Sequence, residues 1–243
     1  MGVSFTIRLA DLQIQIKSIH NRIYFQCQDY RINPDREPDL CIEMQQEDIE
    51  AERKVADSTG YTDGYLETLA VCRKLACVLP EVGVVMLQGC LIGMTDDPND
   101  NSGYLFLGRS GAGPDVHSSL WLAHLPTTYL AGDDKILLRI GTEGTFAYGS
   151  PWQKKEGRNV RLHLKGICCL ERSTQNFLKQ VNFNQSLPFL MQHLPAPKDR
   201  EGLSKVLEVF SQIDCPVYKM RCNNLLDDAF ATSYAMTNGQ AKY

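Results

Sequence analysis

The 243-residue chain has no apolar run long enough to cross a bilayer, no C-x-x-C pair, no internal repeat and no low-complexity segment. Each absence removes a class of explanation. The longest mostly apolar stretch, Val82 to Met94, falls short of the ~20 residues a membrane helix needs and contains Gln88, so no membrane partner is expected. Without C-x-x-C, a structural zinc site lacks its usual ligand spacing. Positive charge is not in excess either: 25 Lys and Arg stand against 29 Asp and Glu. Nucleic acid, whose phosphates call for a basic surface, is therefore not an expected partner. The first residues alternate apolar and polar, with neither the charged start nor the apolar middle of a secretory signal, which leads us to expect a cytoplasmic protein.

What is present suits a folded domain. Hydrophobic residues make up 43% and charged residues 22% of the chain, and the length allows one large domain or two small ones. The nine cysteines are odd in number; Cys168 and Cys169 adjoin within an apolar run, and Cys72 and Cys77 fall in an expected helix. Reduced, buried thiols are expected instead of a disulfide framework.

Patterning predicts an α/β protein: a small β-rich N-terminal region over residues 1–62, a main domain over 63–238 and a tail over 239–243. Strands are expected at Ser4–Leu9, Gln13–Ile16, Arg22–Gln26 and Leu40–Glu43. Tyr65–Leu79 has the spacing of an amphipathic helix stopped by Pro80. Beyond it, Val82–Met86, Tyr104–Leu107, Lys135–Ile140, Thr145–Tyr148, Arg161–Leu170 and Val217–Met220 read as strands. Helices are expected through Trp121 and over Gln185–His193, Glu201–Ile213 and Asn224–Met236.

The most informative segment is Gly108-Arg109-Ser110-Gly111-Ala112-Gly113, set between an expected strand and an expected helix. A strand feeding a glycine-rich turn into a helix points backbone N–H groups at a phosphate. Gly108 and Gly113 have the spacing of the G-x-x-x-x-G-K-[ST] loop, but Pro114 and Asp115 stand where Lys and Ser/Thr belong. Pro114 brings no charge to the β- and γ-phosphates and removes one N–H. Asp115 substitutes an anion for a hydroxyl; it repels bare phosphate yet can ligate Mg2+. The plain alternative is a glycine turn before a helix begun by Pro and Asp.

Around that loop, Gly103 to Gly113, His117-Ser118 and Leu120-Trp121-Leu122 resemble a bacterial group of HPr kinase-like proteins, related to phosphoenolpyruvate carboxykinase, whose loop reads G-R-S-G-A-G-K-S-T-H-S-R-L-W or similar. Gly132-Asp133-Asp134-Lys135 resembles the group's paired-aspartate motif. Tyr148-Gly149-Ser150-Pro151-Trp152, Lys155-Glu156-Gly157 and Asn159 resemble its Y-G-T-P-W-x-G-K-E-G-x-N segment. Leu164-Lys165-Gly166-Ile167 and Leu170-Glu171-Arg172 are similar to the strand that follows. The resemblance runs in order from about Tyr65 to Met236. It implies a carboxykinase-type P-loop domain with a mixed sheet, and ATP- and Mg2+-dependent phosphoryl transfer to a serine-type hydroxyl of a protein, peptide or small molecule. It also implies that Gly108 to Asp115, Lys155 and Glu156 border the nucleotide, that Asp115 and Asp134 ligate metal, and that Asp133 and Asp134 are catalytic.

The departures fall where phosphates would be handled: Pro114, Asp115, Ser119 for an arginine, Gln88-Gly89 for His-Gly, and Lys154 for a glycine. Impaired transfer with retained fold is one expectation; a non-catalytic, pseudokinase-type binding or regulatory module is the other. Lys154 is a candidate replacement for the missing loop cation. From the residues alone, Asp133-Asp134 reads equally as a polar turn between strands, and Lys154-Lys155-Glu156 as a solvated loop face. His117, in the first turns of a helix, is expected neutral and hydrogen-bonded. Trp121 and Trp152 are expected to pack, and Cys90 is expected to be a core thiol without an acid–base partner. The acceptor is not specified, and a homo-oligomer through the C-terminal helices is neither required nor excluded.

Overall fold

A computed structural model of the chain describes residues 2–56, 60–95, 101–109, 113–154, 158–195, 199–223 and 225–237. The protein is mixed α/β. Strands β1 (Val3–Leu9), β2 (Leu12–Ser18), β3 (Arg31–Ile32) and β4 (Leu40–Glu43) form a small sheet in the order β3-β1-β2-β4. Around it lie α1 (Arg22–Gln26), α2 (Gln46–Ala56) and α3 (Asp63–Val78). A seven-stranded sheet follows. It contains β5 (Val84–Met94), β6 (Ser102–Gly108), β7 (Thr128–Gly141), β8 (Gly144–Tyr148), β9 (Arg161–Arg172), β10 (Phe177–Val181) and β11 (Val217–Cys222), in the order β10-β11-β9-β6-β5-β7-β8. Its helices are α4 (Pro114–His124), α5 (Phe183–Gln192), α6 (Arg200–Ser211) and α7 (Leu226–Met236).

The sheet is mixed because β6, β9 and β11 run parallel while β5, β7 and β8 join antiparallel. Strand β5 shows how the sequence addresses both faces, since alternate residues point to opposite sides. Val85, Leu87 and Leu91 enter a core capped by α5 and α6. Val84 and Met86 pack with α3 and the small sheet, whereas Cys90 and Ile92 pack under α4 and α7. Only Gln88, between those two groups, is exposed along this strand. A continuous apolar run is what a strand covered on both faces requires.

The small sheet shares one hydrophobic cluster with α3 and with Leu137, Phe146, Tyr148 and Trp152 of the larger sheet's side. Its β1–β2 hairpin turns through Ala10 and Asp11, both at positive φ (50° and 61°), the geometry of a two-residue hairpin loop. Arg139 donates to the Ala10 carbonyl at 2.6 Å, and Tyr148 donates to the Asp11 carboxylate at 2.5 Å.

Several expected elements differ. Arg22–Gln26 is a helical turn, not a strand: only Ile23 is buried, so nothing enforces a two-residue alternation. Within the region expected to be strands, Gln46–Ala56 is a helix marked by charge more than by apolar spacing, with Glu47 and Asp48 in its first turn and Arg53 and Lys54 in its last. Strand β10 was not expected; as an edge strand its residues are mostly exposed, which weakens the pattern. Among the described residues, no helix is long and apolar enough to cross a membrane. All nine cysteines are free; six are buried as expected, but Cys41 and Cys77 are exposed and Cys215 lies between.

Candidate functional site

Strand β6 ends at Gly108, and α4 begins at Pro114 behind Gly113. Gly113 has φ 102°, a conformation that L side chains avoid and glycine adopts freely. Gly108 is needed for a different reason: an added Cβ would lie 2.8 Å from Pro114 Cγ and 3.3 Å from the Leu170 carbonyl oxygen. The proline is thus packed against the strand end it follows. Ser110, Gly111 and Ala112, expected in the loop, lie outside the described residues, as do Lys155 and Glu156.

A cavity of about 720 Å³ opens between this strand end, α4 and β7. Gly108, Arg109, Gly113, Pro114, Asp115, Asp134 and Lys154 all line it, together with Gln88 to Cys90. The expected loop and one member of the aspartate pair therefore meet. Arg172, Gln192 and His193 line it too. These three carried no expected role, because they come from the end of a neighbouring parallel strand and from α5. The only advance signal was the tendency of open α/β sheets to place ligands at the carboxyl ends of their strands.

The two aspartates do different things. Both lie inside β7, so Gly132-Asp133-Asp134 is not a turn between strands. Asp133 is buried; its carboxylate accepts from the Lys154 backbone N–H at 3.0 Å, and its own N–H donates to the Gln153 side chain. That is an anchoring role. Asp134 lines the cavity with φ 145°, a backbone strain for a non-glycine residue, and its carboxylate takes the Lys135 ammonium at 2.7 Å.

Asp115 is also engaged. Cys90 donates its thiol to Asp115 Oδ1 at 3.2 Å, so the thiol does have an acid–base neighbour, contrary to expectation. Burial, then the Asp115 carboxylate, pushes Cys90 up to about 12, which keeps it protonated and unreactive. Neither Asp115 nor Asp134 presents a bare carboxylate to Mg2+. Among the described residues no group of three or more His, Cys, Asp or Glu gathers to hold a metal. Each carboxylate already accepts one contact, from a thiol at Asp115 and from an ammonium at Asp134.

The cations are less committed. Arg109 donates to Gln192 at 3.2 Å, whereas Lys154 and Arg172 are exposed with no side-chain hydrogen bond or ion pair among the described residues. Burial, followed by repulsion from Arg109, lowers His193 below the ordinary histidine value. No protein-family model matches the chain, and no curated protein matches it.

A second cavity of about 680 Å³ lies towards the small sheet and shares Asp134 and Lys154 with the first. Its wall mixes the rings of Phe25, Tyr65 and Trp152 and the Leu69 side chain with the charged groups of Arg22, Asp134, Lys135 and Lys154. Trp152 packs with its indole N–H on the Thr68 carbonyl at 3.0 Å. Trp121 is fully buried and bonds to Thr232 at 3.0 Å. His117 faces the same Thr232 hydroxyl at 2.7 Å, and burial pushes it down to about 4. The expected neutral, hydrogen-bonded histidine is what burial enforces.

Proposed function

We propose that the chain is a P-loop protein of the HPr kinase-like, carboxykinase-related type that holds a phosphate-bearing ligand, a nucleotide by preference, in the loop-side cavity. The observation that carries this reading is Asp134, which borders two cavities at once: one beside the strand–loop–helix turn, the other towards the small sheet. Phosphoryl transfer needs a donor and an acceptor in line, with a carboxylate beside the acceptor hydroxyl. The loop-side cavity suits the donor phosphates, and the one of mixed polarity suits a serine-type hydroxyl on a protein, peptide or small molecule. The mixed sheet with its parallel β6-β9-β11 core supports the fold assignment.

Catalysis is impaired in this reading. Pro114 adds no cation, Asp115 adds an anion, and Lys135 occupies the carboxylate that would take the proton. Catalysis of this kind rests on fixed charge, so a lost contact typically costs ~10²–10³ in rate. The engagement of Asp115 by Cys90 and of Asp134 by Lys135 favours the second form of the proposal, a pseudokinase-type binding or regulatory module.

Calorimetric titration with Mg·ATP tests it on the native chain and on the double variant Pro114→Lys/Asp115→Ser. The variant should bind at least ~10-fold tighter, the worth of one charge-assisted hydrogen bond. Tight binding by the native chain with no gain in the variant would overturn this account of the loop.

A further inference from the structure

The parallel strands β6, β9 and β11 end together, and each end carries an arginine. Gly108 pairs with Leu170, and Leu170 with Met220. One residue on, Arg109 leaves β6 while Glu171 pairs with Arg221; one further, Arg172 pairs with Cys222. Beside this edge is a third cavity, of about 510 Å³, which shares Arg109, Arg172, Gln192 and His193 with the loop-side cavity. Its remaining wall includes Arg221, Glu171 and the Phe189 ring.

Charge separates the two cavities. On the loop side, Arg109, Lys154 and Arg172 are opposed by Asp115 and Asp134. In the third cavity, three arginines face one carboxylate, Glu171. That carboxylate is already shared between Arg221 at 3.3 Å and Lys219 at 3.1 Å. Among the described residues, Arg109 has only the neutral Gln192 amide and Arg172 has no side-chain partner. Concave low-dielectric walls focus such a field, and planar guanidinium forks match the oxygens of a phosphate. The half-buried Phe189 ring, with the Lys219 ammonium 4.4 Å from its centroid, is the aromatic part of this wall.

We infer that Arg109 and Arg172 form an anion subsite, separate from the glycine loop, for the dianionic phosphate group of a small phosphate monoester. The volume of the cavity suits a small molecule, and Phe189 suits an ester over bare phosphate. The subsite does not depend on a nucleotide at the loop; it stands whether the chain is a weak kinase or a binding module.

Phenyl phosphate is the probe, with inorganic phosphate and benzyl alcohol as controls. Titration is followed by calorimetry and by the imidazole resonances of His193 in the full chain. Phenyl phosphate should bind tighter than inorganic phosphate, and benzyl alcohol should not bind. Binding should raise the His193 pKa, since an anion beside Arg109 offsets the repulsion. Arg172→Gln, an exposed change, should weaken binding ~10-fold, the worth of a lost charge-assisted contact. Arg172→Lys should restore part of it, and Pro114→Lys/Asp115→Ser should change it less than Arg172→Gln does. Three results would overturn the subsite: no binding by the native chain, binding insensitive to Arg172→Gln, or binding that follows the loop variant instead.

Discussion

The seam between the small sheet and β7–β9 and the cavity at the carboxyl edge of β6 and β9 both gather charged side chains, but they treat them differently. At the seam Arg139 and Arg161 both have partners. Arg139 holds the Ala10 carbonyl, and Arg161 meets Asp11 at 3.5 Å and the Tyr148 hydroxyl at 3.3 Å while lying over the Phe146 ring. At the cavity, Arg172 and Lys154 have no such side-chain partner among the described residues, and Arg109 has one neutral amide. A fold that pairs Arg139 and Arg161 where it needs cohesion leaves Arg172 and Lys154 without a side-chain partner among the described residues, beside a glycine-rich turn. Seam residues should therefore matter for stability and not for ligand, and cavity residues the reverse.

The largest expected effect comes from the polar cluster under α4, which should behave like the seam. Thr232 donates its hydroxyl to the backbone carbonyls of Asp228 and Ala229, so His117 Nε2 and Trp121 Nε1 both donate to it. His117 Nδ1 is then a bare, buried acceptor. Protonating it would bury an unpartnered N–H, in line with a value pushed down to about 4 by burial. The folded value lies below the unfolded value of ~6.5, so stability is complete above pH ~6.5 and falls as pH drops towards 4. At ~1.4 kcal/mol per pH unit, this histidine should account for about 3 kcal/mol lost between pH 7.5 and 4.5. Urea unfolding of the native chain and of His117→Gln at both pH values measures it. A variant with the same pH slope as the native chain would show that His117 is not the cause.

How much of this could be read beforehand depended on whether the signal was local. The helix ended at Pro80 and the turn from Gly108 into α4 carry their instructions within a few residues, and each lies close to where it was expected, whereas β5, expected over Val82–Met86, starts at Val84 and runs on to Met94. Asp134 could be singled out, but its division of labour with Asp133 could not, because Gln153 and Lys154 arrive from ~20 residues away in the sequence to claim Asp133. Arg172 looked like the end of a strand. Its place beside Arg109 comes from the register of β6 on β9, which no spacing along the chain encodes. Helix α2 was missed for a related reason: Glu52 is buried by its ion pair with Arg73 on α3, so a charged residue occupies the inward face.

Asp11→Gly probes the seam directly with an intermediate effect. Glycine keeps the positive φ that the hairpin needs, so the change removes the carboxylate without adding strain. Losing the Tyr148 bond and the half-exposed Arg161 pair should cost about 1–2 kcal/mol, most of it from the bond, since exposed pairs contribute little. In a double-mutant cycle with Tyr148→Phe the two losses should couple by about 1 kcal/mol. Phenyl phosphate affinity should not move. A change in affinity at this distance would break the division between seam and cavity.

The smallest effect, and the one with an unusual sign, is expected at Asp134. Its φ of 145° is a conformation in which a Cβ is strained, at ~1–3 kcal/mol. The carboxylate returns part of that through the Lys135 pair, for which ~1 kcal/mol is a fair magnitude at such a partly buried site. Asp134→Gly removes both terms, so the chain should gain about 1 kcal/mol in urea unfolding while the cavity loses the carboxylate it shares with its neighbour towards the small sheet. Residues held against their backbone preference cluster where function needs them, and stabilising substitutions there often reduce function. A less stable Asp134→Gly would mean that the Lys135 pair outweighs the strain. Asp134 would then belong with the seam, as one more residue whose charge serves the fold.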